Sequence, residues 1–281
     1  MNKPTASLFQ RARWKLAHVI WPERLGPNKL VTRWRVRSCE AEATVRWLAA
    51  GGEASGRPRP EARSQTGEDA LLWELLGDRE GGFFVEAGAF DGYTFSVSYL
   101  FECVGWSGLL VEPVVHRAAE CSVRRQSSRV VAAALSRPGS AETVPLIRVP
   151  SFEMYSTLEM TDAQHRLLES EFRETVTEST PATTLDAALE FHSGSVDFAV
   201  LDVEGHELAV LEGFDLERWR PTVLLVEDNT DGRDSAVRRY VEARGYRHVA
   251  SLAQNEIFLR AEEMSLAQRL ERYWADLGPL P

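Results

Sequence analysis

The sequence predicts an α/β protein built on a mostly parallel sheet, with an antiparallel hairpin near its end and a helical extension before it. Three observations carry this. Apolar runs at 83–86, 108–112, 129–134, 196–202 and 222–227 alternate with helical stretches at 114–125, 184–191 and 206–212, the pattern of strands covered by helices on both faces. The first run ends in Glu86 and breaks into a loop with glycines at 88 and 92, FFVEAGAFDG. That is how a buried strand turns where a backbone must come close to a ligand. The second run, GLLVEP, closes on another acid, Glu112. Strand, glycine loop, helix, strand and acid in this order make a Rossmann-type adenosine site, with loop amides facing the cofactor and the second acid pairing with ribose hydroxyls.

The elements follow in order along the chain. Residues 1–50 read as helical pieces broken by Pro22 and by Gly26-Pro27. Trp14, Trp21, Trp34 and Trp47 are interleaved there with nine Lys or Arg up to Arg37, against Glu23 alone. GGEASGRPRPEARS (51–64) has the composition of a linker. Thr66, with Asp69 three residues later, has the spacing of a helix N-cap before the apolar pattern LLWELL. The stretch 145–180 is polar, contains Met154, Tyr155, His165 and Phe172, and interrupts the alternation. Such insertions at the ligand edge of an α/β sheet are lids or substrate loops, the plain alternative being a surface excursion. YRHVA and EIFLR form the closing hairpin, and a last helix starts at Ser265 with Gln268 in the capping-box position. Three parts result: residues 1–60 as basic extension and linker, 61–262 as the α/β domain, and 263–281 as a C-terminal helix.

Composition narrows the function. The chain has 281 residues and a net charge of −10, although its start is basic, so the body lacks the basic face of a nucleic-acid binder and no nucleic-acid partner is expected. Cys39, Cys103 and Cys121 have no metal spacing, and an odd number of free thiols suits a reducing compartment. The longest apolar run near the start, LAHVIW, is too short for a membrane span or a signal-peptide core. The expectation is a cytoplasmic protein. Its basic segment, residues 1–38, either lies peripherally on an anionic membrane or packs onto the acidic body or a second subunit of a homodimer. The second arrangement suits apolar positions that keep no clean helical stripe.

The glycine loop also discriminates between cofactors. A nicotinamide enzyme shows G-x-G-x-x-G after its first strand. Here the order is Glu86-Ala-Gly88-Ala-Phe-Asp91-Gly92, with a carboxylate in place of the first glycine. Facing a pyrophosphate, that charge would cost on the order of a kcal/mol or more. It would instead attract a cation, and S-adenosylmethionine offers an ammonium and a sulfonium with no phosphate. The loop therefore favours the methyl donor over NAD(P). A Glu86 that merely caps the following helix is the bland alternative. An NAD(P)-dependent enzyme and a non-catalytic binding protein on the same fold are the competing functions.

On EAGAFDG (86–92), VEP (111–113), VVAAALS (130–136), LDVEGHELAVLEG (201–213) and LLVEDN (224–229), the chain resembles the FkbM-type methyltransferases over about residues 64–260. SQTGED (64–69) looks like a lead-in found in part of that family. The resemblance implies a Rossmann-like class I methyltransferase sheet. It also implies S-adenosylmethionine-dependent O-methylation, often of a sugar hydroxyl on a glycolipid, polysaccharide or natural product. Carried over by position, Glu86 takes the methionine amine, Gly88 lets the backbone approach, Glu112 binds the ribose diol and Ser136 flanks adenine. Gln65 and Asp91 add polar contacts to the cofactor, and Asp202 lies beside its methyl end.

Methyl transfer needs an aligned acceptor oxygen and, for an alcohol, removal of its proton. Strand four ends in Asp202-Val-Glu204-Gly205-His206-Glu207 and strand five in Glu227-Asp228-Asn229. Adjacent parallel strand ends lie about 5 Å apart, so Asp202, Asp228 and Asn229 can offer hard oxygen ligands to one Mg2+. His206 is the metal-free general base, with Asp202 as the second candidate; its plain reading is a helix-start residue hydrogen-bonded to Glu207 or Asp202. Glu204, Glu227, Tyr155 and His165 are the expected acceptor-side residues.

Overall fold

The computed structural model describes residues 27–150, 153–158, 174–228 and 235–277. In chain order it contains α1 (Pro27–Ala49), α2 (Glu68–Leu76), β1 (Phe83–Ala87), α3 (Tyr99–Cys103), β2 (Ser107–Val111), α4 (Val115–Arg124), β3 (Arg129–Val131), β4 (Ala134–Leu135) and β5 (Thr143–Arg148). After a 3-10 turn at Glu153–Tyr155 come β6 (Val176–Thr183), α5 (Leu185–Ala188), β7 (Phe198–Leu201), α6 (Glu207–Glu212), α7 (Leu216–Trp219) and β8 (Val223–Glu227). The chain then runs through α8 (Ser235–Glu242), β9 (Tyr246–Leu252), β10 (Asn255–Arg260) and α9 (Met264–Leu277).

Seven strands form one sheet in the order β3-β2-β1-β7-β8-β10-β9. β3, β2, β1, β7 and β8 run parallel, and β10 pairs antiparallel with both β8 and β9. β1 and β8 are buried at every position because both faces are covered. Alternate residues divide between the two faces, as the strand period of two requires. Phe84, Leu110, Phe198, Val200, Val223 and Leu225 pack with Cys39, Ala43 and Trp47 of α1, with α2, and with Leu266, Leu270 and Tyr273 of α9. Phe83, Val85, Leu109, Ala199, Leu224 and Val226 pack on the other side with Leu185, Leu211, Trp219 and Val241. The parallel strands run outward in chain order from the β1/β7 pair, through β2 and β3 on one side and β8 on the other. The gap between the carboxyl ends of β1 and β7 is therefore the place where open α/β sheets bind ligands.

α1 enters the core at Cys39, Ala43 and Trp47, four residues apart, and Arg35 bonds Glu74 at 3.2 Å while lying over the Tyr273 ring. The described part of the basic extension is thus packed on the α/β domain. No helix among the described residues is long and apolar enough to cross a membrane.

Four local readings are corrected. The third strand does not run through 129–134: β3 stays in the main sheet, while Ala134 and Leu135 pair with Ala182 and Thr183 in a separate sheet of order β4-β6-β5. That pairing joins positions about 48 apart and has no local signature. Thr66 does not cap α2, because Gly67, at φ 97°, occupies the cap position. Asp69 is held instead by Ser64, whose hydroxyl and amide donate to it at 2.7 and 2.9 Å. The helix expected over 184–191 narrows to α5, capped by Thr184 through the Ala187 amide at 3.1 Å. Finally, α9 begins at Met264, which places Ser265 inside its first turn.

Candidate active site

A cleft enclosing about 1380 Å3, its open mouth included, lies at the carboxyl edge of the main sheet. β1 delivers Glu86, the loop after it Gly88, the position just past β2 Glu112, and the loop after β7 Asp202, Glu204 and His206. Gln65 lines it from the segment before α2, and Glu227 from the end of β8.

Gly88 has φ +82°, and a Cβ placed on it would sit 1.8 Å from the Asp202 carbonyl oxygen. Only glycine lets the first loop come this close to the end of β7. The glycine thereby brings the two halves of the cleft together, a reason independent of any cofactor contact.

Glu86 is buried and lines the cleft. Its carboxylate accepts from Ser96 Oγ at 2.8 Å, from the Val97 amide at 2.8 Å and from Ser98 Oγ. Arg125, 1% exposed, lies 3.8 Å from it and bonds Ser96, Ser98, the Gly92 carbonyl and Glu102. One carboxylate thus fastens the segment entering α3 while its charge borders the cleft. Glu86 does not cap α3, whose cap residue is Ser98, but bonds the Val97 amide just before it.

Glu112 is 5% exposed, with Oε1 accepting from the Val114 amide at 2.9 Å and Oε2 from the Phe90 amide at 2.8 Å. Burial pushes its carboxyl up to about 7, against the opposing effect of those two amides and of Arg117. Each oxygen retains lone pairs, as a ribose diol requires. Phe90 has φ 48° and carries the Arg117 guanidinium 4.5 Å above its ring.

Two predicted cofactor residues stand behind the cleft wall. Burial alone would raise the Asp91 carboxyl. The Thr94 and Tyr93 amides, the Thr94 hydroxyl and Arg124 override this and hold it below the usual range, so Asp91 shapes the loop. Ser136 pairs through its hydroxyl with Ser140 at 2.9 Å, while its neighbours Ala133, Ala134 and Leu135 line the cleft.

At the other end, Asp202, Glu204 and Glu227 each bring a carboxylate oxygen within 4.8 Å of the other two. Three converging carboxylates suit a hard divalent cation such as magnesium, or the positive charges of a sulfonium and an ammonium. Asp228, expected in this set, is not among the three; its amide donates to the Gln254 carbonyl at 2.7 Å. Asn229 and His165 lie outside the described residues, and Tyr155 stands in the 3-10 turn whose neighbours Met154 and Ser156 line the cleft. His206 is the N-cap residue of α6 and also lines the cleft. Glu207 is buried, and its Oε1 accepts from the Val203 amide at 3.2 Å and the Gly205 amide at 3.0 Å. Burial pushes its carboxyl up to about 7, those amides opposing and Asp202 adding to the rise. It acts on the site by holding the turn that presents Asp202, Glu204 and His206.

Three contributors carry no recognisable signal in the sequence. Glu153 is buried and bonds Arg117 Nε at 2.7 Å, Arg148 Nη1 at 2.8 Å and His116 at 2.9 Å. Thr157 bonds the loop after β7. Asn255, from the β9–β10 hairpin, reaches Glu68 at 3.0 Å across the cleft rim.

Solved structures resembling this chain include three methyltransferases at low identity. A TehB-like S-adenosylmethionine-dependent methyltransferase from Corynebacterium glutamicum is 10% identical, with 80% of this chain and 99% of that one covered and a TM-score of 0.38. A putative RNA methyltransferase from Pyrococcus horikoshii is 11% identical, with 72% and 86% covered and a TM-score of 0.36. The O-methyltransferase TomG of tomaymycin synthesis from Streptomyces achromogenes, in complex with S-adenosylmethionine, is 14% identical, with 78% and 86% covered and a TM-score of 0.34. No curated protein matches the chain. The sequence model of the methyltransferase FkbM domain matches residues 86–248, more than half of the chain and a span that runs from the end of β1 through β8, so the protein belongs to the FkbM methyltransferase family.

Proposed function

We propose that the protein is an S-adenosylmethionine-dependent O-methyltransferase whose acceptor is a hydroxyl of a sugar, carried on a glycolipid, a polysaccharide or a natural product. The observation that carries this is one cleft with Glu112 at one end and Asp202, Glu204, Glu227 and His206 at the other. The first end offers a diol-binding carboxylate. The second offers acceptors for several hydroxyl donors and a group able to take a proton.

When bound, S-adenosylmethionine supplies a methyl carbon already activated by its sulfonium. The chain's own residues then have three tasks. Glu112 holds the ribose through its two oxygens, already oriented by the Phe90 and Val114 amides. Glu86, with Asp202 nearby, gives the methionine end a negative environment, while the Gly88 turn sets the distance between the two loops. His206 would take the proton of the acceptor hydroxyl, and Asp202 would orient that acceptor. A magnesium ion would be held by Asp202, Glu204 and Glu227, and its charge would lower the pKa of an acceptor hydroxyl beside it.

A lipid-linked acceptor would place the enzyme on the cytoplasmic side of a membrane, where residues 1–38 meet anionic headgroups; a homodimer through the same segment is the other use of it. Calorimetry with S-adenosylhomocysteine followed by a methyl-transfer screen over methyl glycosides tests the function. No binding by the wild type, or undiminished binding by Glu112→Ala, refutes it. Binding of NADH instead would restore the dinucleotide reading, and binding without transfer to any hydroxyl would leave a non-catalytic protein.

A further inference from the structure

Segment 153–158 runs along the cleft from the ribose end to the transfer end and is tied at both. At the first tie, Glu153 gathers Arg148 of β5 with His116 and Arg117 of α4, the helix that starts three residues after Glu112. At the second, Thr157, 3% exposed, exchanges two backbone hydrogen bonds with Ile147 at 2.9 and 3.1 Å. Its hydroxyl donates to the Glu204 carbonyl at 3.0 Å. That carbonyl belongs to a residue at φ 55°, in the turn clamped by Glu207. Between the ties Met154 and Ser156 line the cleft, and Leu158 lines it just beyond the second.

We propose that 153–158 is a strap through which cofactor occupancy sets the shape of the acceptor side, with Thr157 and Glu153 as its positioning residues. The argument rests on the methyl-donor reading of the cleft. A ligand that orders Glu112 and the Asp202 turn orders both anchor points of the strap, and so the wall that an acceptor meets. Both residues also line the cleft; Thr157 acts through the Glu204 turn, and Glu153 through the helix behind Glu112. Thr157→Val keeps the shape and the backbone bridge but removes the donor, whereas Thr157→Ser keeps the donor.

Hydrogen exchange of the full chain with and without S-adenosylhomocysteine reads this directly. In the wild type, the ligand should slow exchange at 86–90 and 202–206 and also at 146–158. In Thr157→Val, the protection at 146–158 should fall at least tenfold while that at 86–90 stays, and Thr157→Ser should restore it. Glu153→Gln should loosen the strap from its other end and leave 202–206 protected. Equal protection of 146–158 in the wild type and in both weakened variants overturns the strap and leaves the methyl-donor site standing. Loss of protection at 86–90 in Thr157→Val also overturns it, because Thr157 would then be general scaffold. No protection anywhere in the wild type removes the methyl-donor reading and the strap with it.

Discussion

The carboxyl of Glu112 is pushed up to about 7 by burial, and a ribose diol would donate to its ionised form. Cofactor binding must then compete with a proton. If only the carboxylate binds well, affinity for S-adenosylhomocysteine weakens by a factor approaching ten for each pH unit below 7. Between pH 8 and pH 5.5 the loss is roughly 30-fold, about 2 kcal/mol. At pH 7 about half a proton should be released per ligand bound, which calorimetry in buffers of different ionisation enthalpy measures. Glu112→Gln should bind about 30-fold more weakly at pH 8, a charge-assisted hydrogen bond contributing about 2 kcal/mol, and should lose most of the pH slope. The same residue has the opposite effect on the free protein. With its folded value above the ordinary 4.5, the folded state keeps a proton that the unfolded chain has released. Glu112 therefore lowers stability as pH rises from about 4.5 to 7, by up to about 3 kcal/mol, and adds no further change above that. The melting temperature of the ligand-free wild type should fall across this window more than that of Glu112→Gln. Wild-type affinity that stays flat from pH 5.5 to 8, or Glu112→Gln that binds normally at pH 8, refutes the assignment of this carboxylate to the diol.

Three other perturbations probe separate parts of the site. Gly88→Ala forces a methyl group 1.8 Å from the Asp202 carbonyl oxygen at a left-handed φ. It should cost about 3 kcal/mol or more, lower the melting temperature by several degrees and weaken S-adenosylhomocysteine at least tenfold. Arg125→Met leaves Glu102 without its 2.9 Å partner and Glu86 without its neighbouring cation in a buried place. Urea denaturation should show about 3–5 kcal/mol of lost stability, and a loss under 1 kcal/mol would mean that the network is dispensable. His206→Ala should leave S-adenosylhomocysteine affinity unchanged and lower kcat about 100-fold, the usual contribution of a general base. Turnover is then expected to survive EDTA. A rate abolished by EDTA and restored by magnesium would transfer proton removal to the Asp202, Glu204 and Glu227 cluster.

What was legible in the chain follows from how local each interaction is. β1, β2, β7 and β8 are buried on both faces, so their apolar runs stand out from the flanking sequence, and the acids that end them mark the cleft edge directly. The cap of α2 and the break between β3 and β4 depend on partners elsewhere in the chain. Ser64 takes the place next to Asp69 that Thr66 was expected to fill, and Ala134 leaves the main sheet because Ala182 arrives beside it. The carboxylate cluster shows the same division. Sequence adjacency pointed to Asp228 and Asn229 as partners of Asp202. Asn229 lies outside the described residues, while the turn at 203–205, with Glu204 and Gly205 both at positive φ, brings Glu204 onto the side of Asp202, and Glu227, the last residue of β8, joins them.

This geometry gives the DVEGHE stretch a physical meaning that its composition leaves open. Glu207 spends its carboxylate on the backbone of Val203 and Gly205, so it holds the turn rather than lining the cleft. Asp202 and Glu204 then face the cleft from one end of that turn, and His206 starts the helix at the other. Four ionisable groups within six residues thus divide into three that line the cleft and one that holds their turn in place. Replacing Glu207 by Gln keeps an acceptor for the two amides, whereas Ala removes it. If the turn is what Glu207 serves, Gln should be tolerated and Ala should cost both stability and turnover; a Gln variant as inactive as Ala would show that its charge acts on the reaction itself.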